Sequence, residues 1–418
     1  MQKKDWDISI LNKLDPSKVK VLVGMTGRLD STVAAFLLKK QGFQVAGIGI
    51  NLWAPEIKEQ PWSGFENYCS IKDMEKVQEV CNFLDIPFYG VNGQGGFFDE
   101  VVDPIIAASL VGKIANPCPR CHRYKLNLLW EKTKVLGYEF LATAHFAKIY
   151  KNHRNGDFVV YSGNNQKCDQ SQWLMELSQE ILSHLILPLA ELQQKEVERL
   201  AQNFNLPVLG QGGSNPPCFA QSKSFAEFVE YKTAESLHLS GHIINRDNNA
   251  YLGDHSGFYH YKFGAHSIQP KFSNTPIDGS LYIVDFDFKE RIIFVDSKKH
   301  IYSPGAQLYD LHILRDGDCT KPIQLYMHSR VSDKKTLVTV YFKNNQTAYL
   351  EFDKPLKGLY AEDFVSFYNR DGVGAKLVMT GKINYVGPVY QLNRLYASDE
   401  EDIDMERATN EVAEDFKF

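Results

Sequence analysis

No run of apolar residues in this 418-residue chain approaches the roughly 18 that a membrane helix requires, so no transmembrane helix is expected. The opening Met1-Gln2-Lys3-Lys4-Asp5-Trp6-Asp7 has no apolar stretch behind it. No secretory signal is therefore expected, and a cytoplasmic, reducing location is the consequence. In that setting the seven cysteines are read as thiols, metal ligands or catalysts rather than a disulfide framework. The chain also lacks an internal repeat, a Rossmann fingerprint and the Gly-Lys-Ser/Thr ending of a Walker A loop. The last absence makes a kinase or GTPase reading poor.

A basic excess is missing too: the formal net charge is −5. Its distribution matters more than its sum. From Ser398 to Phe418 there are nine acids against Arg407 and Lys417, so this segment carries −7 and the rest of the chain +2. The segment reads as a solvated acidic tail that masks a slightly basic body, and overall charge neither supports nor excludes a nucleic-acid partner.

Present instead is an ordinary globular composition, 44% apolar and 23% charged, in a chain long enough for two or three domains. The first part alternates strand and helix patterns. Val19 to Val23, Val45 to Ile50, Pro87 to Val91 and Phe140 to Thr143 read as strands. Ser31 to Lys40, Asp73 to Leu84, Tyr124 to Leu136 and Leu189 to Phe204 read as helices, with Gly42 and Gly137 as stops. Alternation of this kind predicts a mainly parallel sheet covered on both faces, with ligands beyond the carboxyl ends of its strands. After about residue 225 the pattern turns to short alternating strands, including Thr336 to Phe342 and Thr347 to Phe352 around Lys343-Asn344-Asn345. The expected organisation is an α/β domain over 1–225, a small β-rich linker domain over 226–285, a β-barrel over 286–397 and the acidic tail over 398–418.

Two constellations carry chemistry. Gly24-Met25-Thr26-Gly27-Arg28-Leu29-Asp30-Ser31-Thr32 comes after the first strand and opens a helix. Backbone N–H groups at such a turn suit phosphate oxygens, although a helix start capped by Asp30 or Ser31 explains the same residues. Asn116-Pro117-Cys118-Pro119-Arg120-Cys121-His122 reads as a loop before a helix, and Pro216-Pro217-Cys218-Phe219 as a second loop. Cys-x-x-Cys-His is literally a haem-attachment signal, which the lack of an export signal disfavours. Zinc on Cys118, Cys121, His122 and Cys218 and a purely structural role stay open. Arg120 and Arg123 beside the thiols would lower their pKa values. Cys81, inside an apolar helix pattern, reads as core.

The loop resembles the PP-loop of ATP pyrophosphatases, S-G-G-x-D-S, as Thr26-Gly27-Arg28-Leu29-Asp30-Ser31. Arg28 stands where the pattern has a glycine, whose freedom of φ an arginine lacks. Further along, Asn116 to His122 resembles N-P-C-x-x-C-N, and Ala142-Thr143-Ala144-His145-Phe146-Ala147 resembles A-T-G-H-Y-A. Cys168-Asp169-Gln170-Ser171-Gln172-Trp173-Leu174 resembles K-D-Q-S-Y-F-L, and Ser214 to Phe219 resembles S-T-G-I-C-F. Leu252 to Gly257 is similar to V-G-E-H-D-G, and Phe352-Asp353-Lys354-Pro355 to F-D-x-P. In their order and spacing these motifs resemble the tRNA-specific 2-thiouridylases of the PP-loop superfamily over nearly the whole chain.

The resemblance implies that ATP, with Mg2+, adenylates the 2-oxygen of a wobble uridine in the tRNA anticodon arm. A cysteine persulfide, charged by a sulfur-donor protein, then delivers sulfur. It implies Cys121 and Cys218 as catalytic residues, with Cys218 carrying the persulfide. Gly24, Met25, Thr26, Gly27, Arg28, Asp30, Ser31, Ile50 and Ala144 fall at the ATP site, and Asn116, Pro117, His145, Cys168, Asp169 and Gln170 at the tRNA. Because Cys118 occupies a position that is Asp or Cys in the family, Cys118, Cys121 and Cys218 are also candidate ligands of a [4Fe-4S] cluster.

The departures concentrate on nucleotide and tRNA contacts: Arg28, Cys168 for lysine, Gly213 for an acid, Pro216-Pro217 for Gly-Ile, and Ala361-Glu362-Asp363 for P-G-Q. The linker signature I-G-Q-R-K-G has no counterpart in Tyr261 to Gln269. Two readings stay open: a divergent active thiouridylase, or a paralogue that binds tRNA or handles sulfur without ATP turnover.

Overall fold

The computed structural model describes residues 15–52, 71–113, 116–153, 155–208, 222–233, 240–266, 268–271, 276–313 and 321–387. They fall into two compact units. One draws on Met1–Pro104, Pro117–Phe225 and Asp371–Leu377, the other on Ile105–Asn116, Ala226–Arg370 and Val378–Phe418.

The first unit starts with β1 (Lys20–Gly24), α1 (Leu29–Lys40), β2 (Gln44–Asn51), α2 (Ile71–Phe83) and β3 (Phe88–Asn92). Short α3 (Gln94–Phe97) follows; α4 (Asp103–Leu110) belongs to the second unit from Ile105 on. The first unit resumes with α5 (Pro117–Val135), β4 (Phe140–Ala142), the hairpin β5 (Ala147–Lys151) and β6 (Phe158–Ser162), α6 (Gln179–Ser183), β7 (Leu185–Ile186) and α7 (Gln194–Asn203). The sheet order is β3-β2-β1-β4-β7, and every pairing is parallel. Val21, Leu22 and Val23 of β1 are fully buried because helices cover both faces. One close approach depends on glycine: a Cβ at Gly47 of β2 would lie 2.5 Å from Cys81 Sγ of α2. Cys81 is a core residue, as expected, and burial pushes its thiol up to about 12.

Two helix boundaries differ from expectation. The segment Pro117 to His122 is not a loop; it forms the first turns of α5, which starts seven residues earlier than the apolar period indicated. Proline fits the first turn of a helix, where its missing N–H would find no intrahelical acceptor. At the other end, Leu189 and Leu192 are buried in a turn. Helix α7 begins only at Gln194, where the Gln193 N–H donates to Glu196 Oε2 at 2.6 Å.

The second unit contains α8 (Ser222–Thr233) from Ala226 on, then β8 (Gly241–Asn245), β9 (Tyr251–His255), β10 (Leu281–Asp287) and β11 (Ile292–Ser297). These strands form a sheet of order β10-β11-β8-β9 around Ile243, Phe258, Ile283, Ile293 and Val295. Six strands close into a barrel in the order β12-β15-β14-β13-β16-β17. They are β12 (Tyr302–Ile313), β13 (Ile323–Ser329), β14 (Ser332–Phe342), β15 (Ala348–Lys357), β16 (Phe364–Tyr368) and β17 (Leu377–Val386). The α/β fold with a β-rich region and a closed barrel is thus the architecture the sequence predicts. Asn344 makes the β14–β15 turn, its Oδ1 accepting the N–H groups of Gln346 and Thr347 at 2.8 Å.

Candidate functional site

In the first unit the strand order reverses between β1 and β4. Such a switch point opens a crevice at the carboxyl ends of its strands. Three loops of this unit carry the residues singled out by the motifs: Met25 to Arg28 after β1, Thr143 to Phe146 after β4, and Asn165 to Gln170 after β6.

The first loop is held by its own hydroxyls. Thr26 N–H donates to Ser31 Oγ at 3.1 Å, the two hydroxyl oxygens lie 3.0 Å apart, and Ser31 Oγ donates to the Arg28 carbonyl at 3.2 Å. The positive φ falls on Gly27, at 70°. Arg28 has φ −85° and ψ 171°, extended backbone that any residue adopts. In this loop the positive φ is carried by Gly27, and Arg28 takes a backbone conformation open to an arginine. Arg28 is the N-cap of α1 and makes no side-chain cap bond, so neither Asp30 nor Ser31 is the N-cap residue. The N–H groups of Leu29, Asp30 and Ser31 lie in the helix's first turn, where no intrahelical acceptor exists. With the positive end of the helix dipole they form an anion-binding concavity.

Asp30 accepts a hydrogen bond from Gln194 Nε2 at 3.2 Å, and burial raises its carboxyl above the usual range. Cys168, half-buried against the same core, has its thiol pushed up by burial and by the Asp30 carboxylate. A thiol less ready to ionise than usual therefore stands where the resemblance places a lysine.

The second and third loops are tied together. Phe146 N–H donates to Gln170 Oε1 at 3.1 Å, and Gln170 N–H donates to the Phe146 carbonyl at 3.2 Å. Asp169 Oδ1 accepts from Ser171 N–H at 3.1 Å and from its hydroxyl at 2.7 Å. His145 links this pair of loops to α5. Its Nδ1 lies 2.8 Å from Thr143 Oγ1 and its Nε2 lies 3.2 Å from His122 Nδ1. The His122 ring stacks on Trp173, with centroids 5.3 Å apart and planes 9° from parallel. Desolvation and the charge of Lys125 hold His145 down at about 4, and the same causes, with His145 itself, put His122 well below its ordinary value. At neutral pH the Thr143–His145–His122 chain is an uncharged hydrogen-bond relay.

Cys121 is buried and Cys118 partly exposed, on successive turns of α5. Arg123, expected beside the thiols, pairs with Glu176 at 2.9 Å. Ile50 sits on β2 next to Asn51 and Ala144 comes two residues after β4, while Pro117 starts α5. Asn116 belongs to the second unit. Cys218, with the whole Ser214 to Phe219 motif, lies outside the described residues. Among the described residues no three of His, Cys, Asp and Glu are grouped to hold a metal. His122 and Trp173 are the partners that sequence reasoning missed. Their stacking joins positions 51 apart, and no local period signals it.

A family model described as "tRNA methyl transferase HUP domain" matches residues 19–222. The chain is 31% identical over 368 residues to a protein of Geobacter metallireducens named tRNA-specific 2-thiouridylase MnmA, covering 86% of this chain and 96% of that one. The chain belongs to the tRNA-specific 2-thiouridylase family. Relatives of the same name in Symbiobacterium thermophilum (30% identity, 86% of this chain, 91% of the relative) and Natranaerobius thermophilus (28%, 87% and 98%) match at similar length. In this thiouridylase-family chain the altered positions are distributed unevenly. Arg28 lies in the loop after β1 and Cys168 in the loop after β6, whereas the hydroxyl pair Thr26 and Ser31 and the Thr143–His145 bond keep a formed geometry. The altered barrel segment Ala361-Glu362-Asp363 forms a turn in the second unit. Glu362 has φ 69°, and Asp363 is buried, paired with Arg330 and accepting the Tyr360 N–H at 2.8 Å.

Proposed function

We propose that this chain is an ATP-dependent tRNA-uridine 2-sulfurtransferase that converts a wobble uridine of the anticodon arm to 2-thiouridine. The observation that carries the reading is the switch-point pair of loops in a chain of this family: an anion-binding helix start on one side and the neutral His145 relay on the other.

In the first step the uridine 2-oxygen attacks the α-phosphorus of ATP, and pyrophosphate leaves. Gly24 to Ser31 cradle the departing phosphates through backbone N–H groups, with Arg28 as an added cation. Ile50 and Ala144 border the adenosine, and magnesium enters with the nucleotide. His145, together with Asn116, Pro117, Cys168, Asp169 and Gln170, faces the tRNA. Its uncharged ring, held by Thr143 and His122, places no cation beside the flipped base.

In the second step the terminal sulfur of a Cys218 persulfide bonds to carbon 2, and AMP leaves with the former 2-oxygen. The Cys121 thiolate then attacks Cys218 Sγ and breaks the sulfur–sulfur bond, which frees the thiocarbonyl. A Cys121–Cys218 disulfide remains for an external thiol to reduce. A sulfur-donor protein recharges Cys218, and a cytoplasmic setting supplies both reductant and donor. The persulfide route needs only Cys121 and Cys218, so Cys118 is a bystander unless a [4Fe-4S] cluster forms on all three. Iron analysis after anaerobic reconstitution decides that point. The test of the activation step is release of AMP and pyrophosphate: it is expected only with tRNA present, and no release under any condition would replace this reading with a binding protein.

A further inference from the structure

The barrel has a basic end. Strand β12 begins there, β15 ends there and β14 begins there, since Tyr302 pairs with Lys357 and the Val338–Phe352 register continues outwards. The preceding turn, Lys298–Ile301, is fixed to the same end, because Gly358 N–H donates to the Ile301 carbonyl at 2.8 Å. Six lysines therefore share one rim: Lys298, Lys299, Lys334, Lys335, Lys354 and Lys357. All but Lys335 are exposed, and Lys335 lies over the Tyr368 ring at 3.9 Å. The nearby acids are largely engaged: Asp363 with Arg330, Asp296 with His300 at 2.8 Å, and Glu362 with Lys113 at 3.0 Å. The exposed Asp353 and, by sequence position, Asp333 lie at the same strand ends, and exposed Asp278 precedes the strand end that pairs with Ser297. Among the described residues the five exposed lysines have no carboxylate partner in an ion pair.

The chain leaves the barrel toward this rim. Val386 pairs with Ala306 and Gly387 N–H donates to the Gly305 carbonyl at 3.1 Å, so the antiparallel course of β17 points along β12 toward Tyr302. The next ten residues, 388–397, span at most about 35 Å when extended. Ser398 to Phe418 then brings nine acids and two bases. From the basic rim, the exit direction of the chain and the negative charge of its last 21 residues, we infer that the acidic segment 398–418 docks on the lysine rim of the barrel and occupies it as an internal substitute for RNA phosphate. Tethering through so short a linker gives an effective concentration on the order of 1 mM. A segment with a Kd of about 0.1 mM as a free peptide would therefore fill the rim and weaken competing RNA about tenfold. The competition rests on the tRNA reading above; the docking does not.

The test uses the full chain with Asp399→Asn, Glu400→Gln, Glu401→Gln, Asp402→Asn, Asp404→Asn and Glu406→Gln, all at positions outside the described residues. A synthetic peptide of residues 398–418 is expected to bind this neutralised chain, to lose about tenfold in affinity between low and physiological salt, and to bind the unaltered chain about tenfold more weakly because the rim is already filled. Lys354→Glu with Lys357→Glu is expected to abolish peptide binding. The neutralised chain is expected to bind tRNA about tenfold more tightly than the unaltered one, a gain that disappears when the two lysines are also reversed. No peptide binding overturns the inference whatever the tRNA results. A tRNA gain that persists in the lysine-reversed background overturns it as well, because that is plain repulsion between the segment and RNA. If the peptide binds but no 2-thiouridine forms in the thiolation assay, the functional proposal fails and the docking stands.

Discussion

Gly27 and Arg28 show what a single position in the loop after β1 demands. From the motif, the arginine is the disturbing change; from the backbone, position 28 is extended and only position 27 requires positive φ. Gly27→Ala is accordingly expected to cost about 1 kcal/mol of stability and to weaken ATP binding, whereas Arg28→Gly is expected to leave thermal unfolding nearly unchanged. Differential scanning calorimetry and calorimetric ATP titration read both effects, and a larger loss of stability from Arg28→Gly would contradict the assignment. His145 gives a pH prediction. Its folded value of about 4 lies below the ordinary 6.5 of a free imidazole, so between these limits the unfolded chain binds more protons than the folded one. The stability contributed by the neutral ring is complete above about pH 6.5 and is lost as pH falls toward 4. His145→Gln should flatten the fall of melting temperature over that window, and an unchanged slope would show that the ring is not desolvated. The desolvation of His145 depends on more than its own short, mostly apolar stretch; the partner His122 and the Trp173 stack come from other elements.

Elements with one strong local signal were legible, and those defined by tertiary partners were not. Strands β1, β2 and β3 announce themselves as apolar runs between turns because both faces of each are covered. The start of α5 was hidden by Pro117 and Pro119, residues that read as loop punctuation although the first helical turn accepts them. The β5–β6 hairpin, with Ser162 N–H donating to the Ala375 carbonyl at 2.9 Å, depends on a return of the chain 213 residues later that no local pattern announces. The close packing of α2 on β2 is testable at its narrowest point. Gly47→Ala places a Cβ 2.5 Å from Cys81 Sγ and 3.0 Å from Met25 Cγ, and overpacking is expected to destabilise the first unit by about 1–3 kcal/mol. Urea denaturation would measure it, and Cys81→Ala in the same chain should recover part of the loss. Full stability in the single variant would mean that α2 sits further from the sheet.

At the scale of the whole molecule, the sequence pattern predicted an α/β fold followed by β structure and a barrel, because hydrophobic period changes character near residue 225. It did not predict that residues 105–116 join the second unit and 371–377 the first, since chain exchange between units leaves no compositional mark. Family membership places the chain among tRNA-specific 2-thiouridylases, and the proposal is that its altered loop and its two key thiols still perform thiolation. The decisive test is nucleoside mass spectrometry of unmodified tRNA incubated with the protein, ATP, magnesium and a sulfur donor, with Cys121→Ala and Cys218→Ala in parallel. The expected outcome is 2-thiouridine with the unaltered chain and loss of at least about a hundredfold in either variant, as when a nucleophile of a covalent step is removed. Binding of tRNA without gain of sulfur, or sulfur transfer that survives loss of either cysteine, would contradict the proposal.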